Sequence, residues 1–174
     1  MQKDLYRAHG ITLNGLVKLH HIDAEAYLAF VHDIDLSDLT PEPSLTAAIA
    51  QLPGRRFVFT NGCRHHAARI LDRLAMTDLF EAIWDIRTLD FVPKPDARAY
   101  QAVVAQAGIV PGAAAMFDDI ARNLAAARAS GLDTVWLPTR SEFARQGPEF
   151  AVASEAGVDH ETVDLTQFLH SIRI

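Results

Sequence analysis

Through the first forty residues apolar positions recur at helical spacing: Leu13, Leu16 and Val17, then Ala26, Tyr27, Phe30 and Val31. Steps of three and four place such residues on one face of a helix. The segment His20-His21-Ile22-Asp23 interrupts the pattern and Asp33-Ile34-Asp35-Leu36 ends it, so residues 5–39 are expected to form a small helical unit. Thr40-Pro41-Glu42-Pro43 marks its boundary, because a residue ahead of proline is pushed out of helical backbone space.

Beyond that boundary the rhythm changes. Short apolar runs at 56–60, 82–86, 113–117 and 133–137 read as strands, and they alternate with amphipathic stretches at 44–52, 64–75, 97–107 and 124–129 that read as helices. Gly108 and Gly131 sit where the last two of these should stop. Residues 140–159 carry little pattern, and 165–172 is expected to close the fold as a helix. Regular strand–helix alternation predicts an α/β fold: a Rossmann-like parallel sheet with helices on both faces, spanning 41–174.

Composition narrows the functional classes. With 174 residues, 49% hydrophobic and 22% charged, the chain can bury one core and a small appendage. A net charge of −6 with no dense Lys/Arg cluster argues against a nucleic-acid surface. The single cysteine, Cys63, excludes an internal disulfide framework, and His65 and His66 beside it lack the spacing of a zinc site. The N-terminus has no signal-like apolar segment, and no run reaches the roughly 20 apolar residues that span a bilayer. A cytoplasmic location without a membrane partner is expected, and the oligomeric state is left open.

In an open parallel sheet, ligands bind beyond the carboxyl ends of the strands, which directs attention to three clusters. Thr60-Asn61-Gly62 offers a hydroxyl, a carboxamide and backbone N–H groups where a helix begins, a place for an anion or simply a cap and turn. Lys94-Pro95-Asp96 points a cation toward the crevice or into solvent, with Asp96 opening the next helix. Asp118-Asp119 can supply hard oxygen ligands to a divalent cation or cap a helix. Asn123, one turn on, is expected to face the same side as Asp119. Phosphoryl transfer requires such a set, since charge spread over phosphate oxygens must be met by donors, a cation and a carboxylate-held metal.

Phe59-Thr60-Asn61-Gly62, Pro93-Lys94-Pro95 and Phe117-Asp118-Asp119-Ile120-Ala121-Arg122-Asn123-Leu124 resemble three motifs of the haloacid-dehalogenase-like phosphatases. Gly10-Ile11-Thr12-Leu13-Asn14-Gly15-Leu16, His21-Ile22-Asp23, Val31-His32-Asp33-Ile34-Asp35 and Leu89-Asp90-Phe91 resemble the pyrimidine 5′-nucleotidase branch of that superfamily. The resemblance implies a small-molecule phosphomonoester as substrate and Mg²⁺ as cofactor. It implies that Thr60, Asn61 and Gly62 bind phosphate, that Lys94 steadies nucleophile and phosphate, and that Asp118 and Asp119 hold the metal, Asp119 foremost. Asn123 would support the loop, and residues 1–40 would be part of a helical cap. His20, His21 and His32 are cap candidates for substrate contact, although packing or surface roles suit them better, and they are left outside the site.

The chain departs from that family at one point. Its members begin with a strand ending in Asp-x-Asp-x-Thr, whose first Asp attacks phosphorus; here Asp33-Ile34-Asp35-Leu36-Ser37 comes nearest and lacks a preceding apolar strand. Without that nucleophile the covalent route is closed, and the polypeptide alone is expected to be inactive, as a fragment or the product of a mis-called start. The absent strand would lie between those ending at Thr60 and Phe117, leaving two sheet edges unpaired. A non-catalytic phosphate- or metal-binding module, a pseudoenzyme or a receiver-like regulator, is the alternative, although a receiver places its acidic pair first and its lysine last.

Overall fold

The computed structural model describes residues 2–138 and 158–172. It divides into two compact units, Met1–Pro93 and Lys94–Ile174.

The first unit opens with three helices, α1 (Gln2–His9), α2 (Thr12–His20) and α3 (Ala24–His32). The break at His20–Asp23 consists of two caps back to back. His21 adopts a left-handed conformation (φ 53°) and ends α2, while the Asp23 carboxylate accepts from the Ala26 N–H at 2.7 Å and starts α3. Gly15 lets α1 and α2 close up, because a Cβ there would come within 2.9 Å of Leu5 and His9 side-chain atoms. Helix α4 (Pro43–Ala50) begins on a proline, whose missing N–H costs nothing in a first turn. Strand β1 (Phe57–Phe59), helix α5 (Arg64–Arg73) and strand β2 (Ala82–Trp84) follow. The two strands pair in parallel, Phe57 opposite Ala82 and Phe59 opposite Trp84. Ile11, Leu13 and Leu28 from the helical segment share one buried cluster with Cys63 and Ile86 from the strand ends. The apolar stripe on α3 is narrower than its sequence suggests: Leu28 is buried, whereas Phe30 is 82% exposed.

The second unit contains α6 (Ala97–Ala107), β3 (Ala115–Asp118), α7 (Ala121–Ala129), β4 (Asp133–Trp136), β5 (His160–Glu161) and α8 (Leu165–Ser171). Its strands form a parallel sheet in the order β3-β4-β5, with Asp118 opposite Trp136 at the carboxyl end. Helix α6 shows why its bounds are readable from sequence. The Asp96 side chain accepts from the Arg98 N–H, Gly108 (φ 61°) ends the helix left-handed, and Ala99, Tyr100, Val103 and Ala107 make the buried face.

The α/β architecture with parallel strands and flanking helices is therefore as expected. The expected closing helix is α8, and part of the poorly patterned 140–159 segment lies outside the described residues. Two differences have local causes. Helix α7 starts at Ala121, three residues earlier than its apolar spacing suggests, because the Asp118 carboxylate accepts from the Ile120 N–H at 2.8 Å and supports the first turn. Strand β5 has no sequence signature. It is two polar residues long, beside an Asp159 side chain that accepts from the Thr134 N–H and hydroxyl.

Candidate active site

At the carboxyl end of β1 the ladder continues one step, with the Thr60 N–H donating to the Trp84 carbonyl at 2.9 Å. The chain then turns: the Gly62 N–H donates to Thr60 Oγ1 at 2.9 Å, and the Gly62 carbonyl accepts from the Ile86 N–H at 3.2 Å. Asp85, 2% exposed at the end of β2, accepts from the Arg64 N–H at 2.8 Å and from the Thr88 N–H and hydroxyl at 3.0 and 2.5 Å. Burial alone would raise its carboxyl, but these donors together hold it below the usual value. Two backbone donors at this strand end are thus used internally, Gly62 by Thr60 and Arg64 by Asp85. With its oxygen accepting from Gly62, the Thr60 hydroxyl keeps its own proton to donate.

The helical segment reaches this loop. His32, the last residue of α3, places Nδ1 3.1 Å from Cys63 Sγ and stacks on His66 with ring centroids 4.3 Å apart. Arg69 on α5 donates to the His32 and Ile34 carbonyls at 2.8 and 3.0 Å, and Arg73 to those of Leu36 and Ser37. The bond to His32 satisfies a carbonyl that the end of α3 leaves orphaned, and the others hold the chain that follows it. His32, set aside above as packing or surface, packs on Cys63 and His66 and borders Gly62 beside Thr60. His20 and His21 remain exposed.

In the second unit Lys94, just ahead of α6, donates from Nζ to Asp118 Oδ2 at 2.7 Å. The pair is buried, with side-chain exposures of 10% and 5%, so each charge relies on the other. Asn123 Nδ2 lies 3.1 and 3.2 Å from the two Asp118 oxygens, while Asn123 Oδ1 is buried and has no hydrogen-bond partner among the described residues. The Tyr100 hydroxyl donates to the Asn123 carbonyl at 2.8 Å, and burial together with the Asp118 charge pushes its phenol well above the ordinary value. Asp119 is exposed, its carbonyl accepting from Trp136 Nε1 at 3.0 Å. Partial desolvation and the neighbouring Asp118 charge raise its carboxyl. The expectation that Asn123 faces the Asp119 side is corrected, since its carboxamide turns to Asp118. The five-residue step works because Asp118 lies ahead of the helix, on strand backbone.

Lys94, Asp118 and Asn123 converge in the second unit, whereas Thr60, Asn61 and Gly62 lie in the first. Asp33 and Asp35 do not mimic a catalytic strand end: Asp33 caps α3, and Asp35 accepts from the Ser37 N–H and hydroxyl. Among the described residues no group of three or more His, Cys, Asp or Glu side chains gathers as a metal site. The oxygens that suit a hard cation are the two adjacent carboxylates and the unsatisfied Asn123 Oδ1, a donor set that fits magnesium chemistry. Asp85, buried and satisfied by three donors, escaped the sequence reading. Its position directly after an apolar strand was the available signal.

The family model for haloacid dehalogenase-like hydrolases matches residues 3–131. The chain belongs to that family. Phosphate metabolism protein 8 of Saccharomyces cerevisiae is 30% identical over 147 residues, covering 75% of this chain and 46% of the yeast protein. The chain thus spans about half the length of that curated relative. A predicted phosphoglycolate phosphatase from Haemophilus somnus 129PT superposes with a TM-score of 0.63 at 21% identity, over 84% of this chain and 62% of that one. The putative HAD-hydrolase YfnB of Bacillus subtilis, solved bound to magnesium, gives a TM-score of 0.61 at 18% identity, over 99% and 69%. At these identities the structures establish a shared fold. No helix among the described residues is long and apolar enough to cross a membrane.

Proposed function

We propose that this haloacid dehalogenase-like chain carries the phosphate- and magnesium-binding part of a cytoplasmic phosphomonoesterase acting on pyrimidine nucleoside 5′-monophosphates. The observation that carries the reading is the buried Lys94–Asp118 pair at the end of β3, with the unsatisfied Asn123 Oδ1 beside it. A buried charge pair is a poor way to gain stability, and ligands of such sheets bind beyond the carboxyl ends of the strands. The relative named for phosphate metabolism and the predicted phosphatase among the structural neighbours support the same class. The pyrimidine nucleotide rests on the motif resemblance in residues 10–35 and 89–91.

The roles follow from donor chemistry. Thr60 donates its hydroxyl proton to a phosphoryl oxygen, and Asn61 and Gly62 form the rest of that loop. Lys94 supplies fixed positive charge against the phosphoryl group, and Asp118 holds its ammonium in place. Asp119, exposed and only partly offset by the Lys94 charge that is buried against Asp118, is the first carboxylate for the metal, with Asp118 second. Magnesium, when bound, supplies positive charge that draws electron density from the phosphoryl group. The 174 residues contain no Asp-x-Asp-x-Thr, so turnover is assigned to the chain joined to a strand bearing that nucleophile, and the chain alone binds without turning over. That same absence favours a second reading, a binding module with no catalytic role.

Equilibrium dialysis with Mg²⁺ and inorganic phosphate, run beside release of phosphate from UMP, tests both. Binding by the chain, with magnesium-dependent turnover once an Asp-x-Asp-x-Thr strand is restored, supports the phosphomonoesterase. Lys94→Ala and Asp119→Ala should each abolish that turnover, and near-normal turnover in either would refute its role. Binding with no turnover in the extended protein supports the module, and no binding of either ion removes both readings.

A further inference from the structure

His32, one of three cap histidines the resemblance offered for substrate contact, stands where a phosphate-binding group would be useful. A Cβ built on Gly62 would lie 3.3 Å from Thr60 Oγ1, 3.4 Å from His32 Nε2 and 3.7 Å from His32 Cε1. The hydroxyl and the imidazole edge therefore both border the same face of Gly62, where any side chain would crowd them. The other ring nitrogen is engaged, with Nδ1 3.1 Å from Cys63 Sγ. The ring's position is over-determined: Cys63 is 3% exposed, His66 stacks on one face, and Arg69 holds the His32 carbonyl at 2.8 Å. A partly exposed imidazole held this firmly, with Nε2 toward a hydroxyl and a glycine, resembles a preorganised ligand contact more than a packed core histidine.

We infer that His32 is a substrate-binding residue, donating from Nε2–H to an oxygen of the phosphoryl group that Thr60 also contacts. The inference rests on the phosphomonoesterase reading and deepens it, by assigning the helical segment 1–40 a direct hold on the phosphate rather than only on the nucleoside. The donor works either as the neutral ring protonated on Nε2, with the Cys63 thiol facing Nδ1, or as the imidazolium. The surroundings hold the ring below the ordinary histidine value, burial first, then His66 and Arg87, against a hydrogen bond to the Leu28 backbone. A bound phosphate dianion adds to the favourable side.

The test uses the full chain with ¹⁵N-labelled histidine, titrated with inorganic phosphate in the presence of MgCl₂. The expected result is a His32 Nε2 resonance that moves on saturation and reports a protonated nitrogen. His32→Leu should weaken phosphate binding about tenfold, the scale of one hydrogen bond to an anion, whereas His32→Gln, which keeps a donor near the Nε2 position, should stay within about threefold. An unmoved resonance in the phosphate-bound protein, or an unprotonated Nε2, overturns the inference, and the wild-type spectrum gives this answer even if His32→Leu fails to fold. Phosphate binding that is lost in Thr60→Ala or Lys94→Ala but indifferent to His32→Leu also overturns it and leaves the phosphomonoesterase standing. No phosphate binding by any form removes both.

Discussion

The two strand ends that carry the candidate chemistry are built on opposite principles. At the end of β1 and β2 the polar groups are satisfied largely by backbone: Asp85 spends its oxygens on the N–H groups of Arg64 and Thr88 and on the Thr88 hydroxyl, and Thr60 takes the Gly62 N–H. At the end of β3 they are satisfied mainly by side chains, Lys94 and Asn123 converging on Asp118 beside the Ile120 N–H. Backbone bonds come with the fold and are hard to redirect. Side-chain bonds can be exchanged for a ligand, because the lysine ammonium and the carboxylate keep further donor and acceptor capacity. The first end thus shapes a loop, and the second holds charge ready to be shared.

Breaking the side-chain end should cost most. Asp118→Ala leaves the Lys94 ammonium buried without its carboxylate, and a stability loss of about 3–5 kcal/mol is expected in urea denaturation. A loss below about 1 kcal/mol would show that Lys94 finds another partner and that the pair is not the anchor of this end. Asp85→Ala, at the backbone end, should cost about 2 kcal/mol by stranding the donors of Arg64 and Thr88. Faster amide hydrogen exchange at Arg64 would locate that loss at the start of α5, and unchanged exchange would contradict the assignment.

Tyr100→Phe tests the side-chain end from behind. It removes the hydroxyl's bond to the Asn123 carbonyl while keeping the ring, with about 1 kcal/mol expected by the same denaturation. Acid sharpens the contrast by the smallest amount. Burial comes first among the causes that lower His32 and His66, followed by His66 and Arg87 for the former and Arg69 and His65 for the latter. Their neutral forms therefore stabilise the fold above the unfolded-state value of about 6.5, and that contribution disappears as pH falls through the depressed folded values. The melting temperature should drop between about pH 7 and pH 5 in the wild type and drop less in His66→Asn. Equal slopes would show that the stacked pair is not desolvated.

How much was legible follows from how far each signal reaches along the chain. Helix α6 was readable to the residue because Asp96, the apolar face and Gly108 all act within one or two turns. Thr60 and Asp118 were singled out because strand alternation puts them at the ends of apolar runs, where ligands bind in such sheets, and Lys94 because it closes the loop that follows such a run. The His32 placement was not readable. Its contacts with Cys63 and Arg69 span 31 and 37 residues, and the histidine-rich segments look like solvated surface. Asn123 was found but aimed at the wrong carboxylate, because helical spacing was counted back to a residue that precedes the helix.

By itself the sequence determined the alternating strand–helix order, the caps and the order of the hydroxyl, lysine and paired carboxylates, since these depend on backbone preferences and on periods of two to four residues. Only the tertiary structure decided which polar groups remain available. It closed Gly62 on Thr60 and Arg64 on Asp85, buried Lys94 against Asp118, left Asn123 Oδ1 unsatisfied and turned His32 toward the glycine. The physical reason is that a hydrogen-bonding group's worth depends on what else is near it after burial, and those neighbours come from packing between segments far apart in the chain.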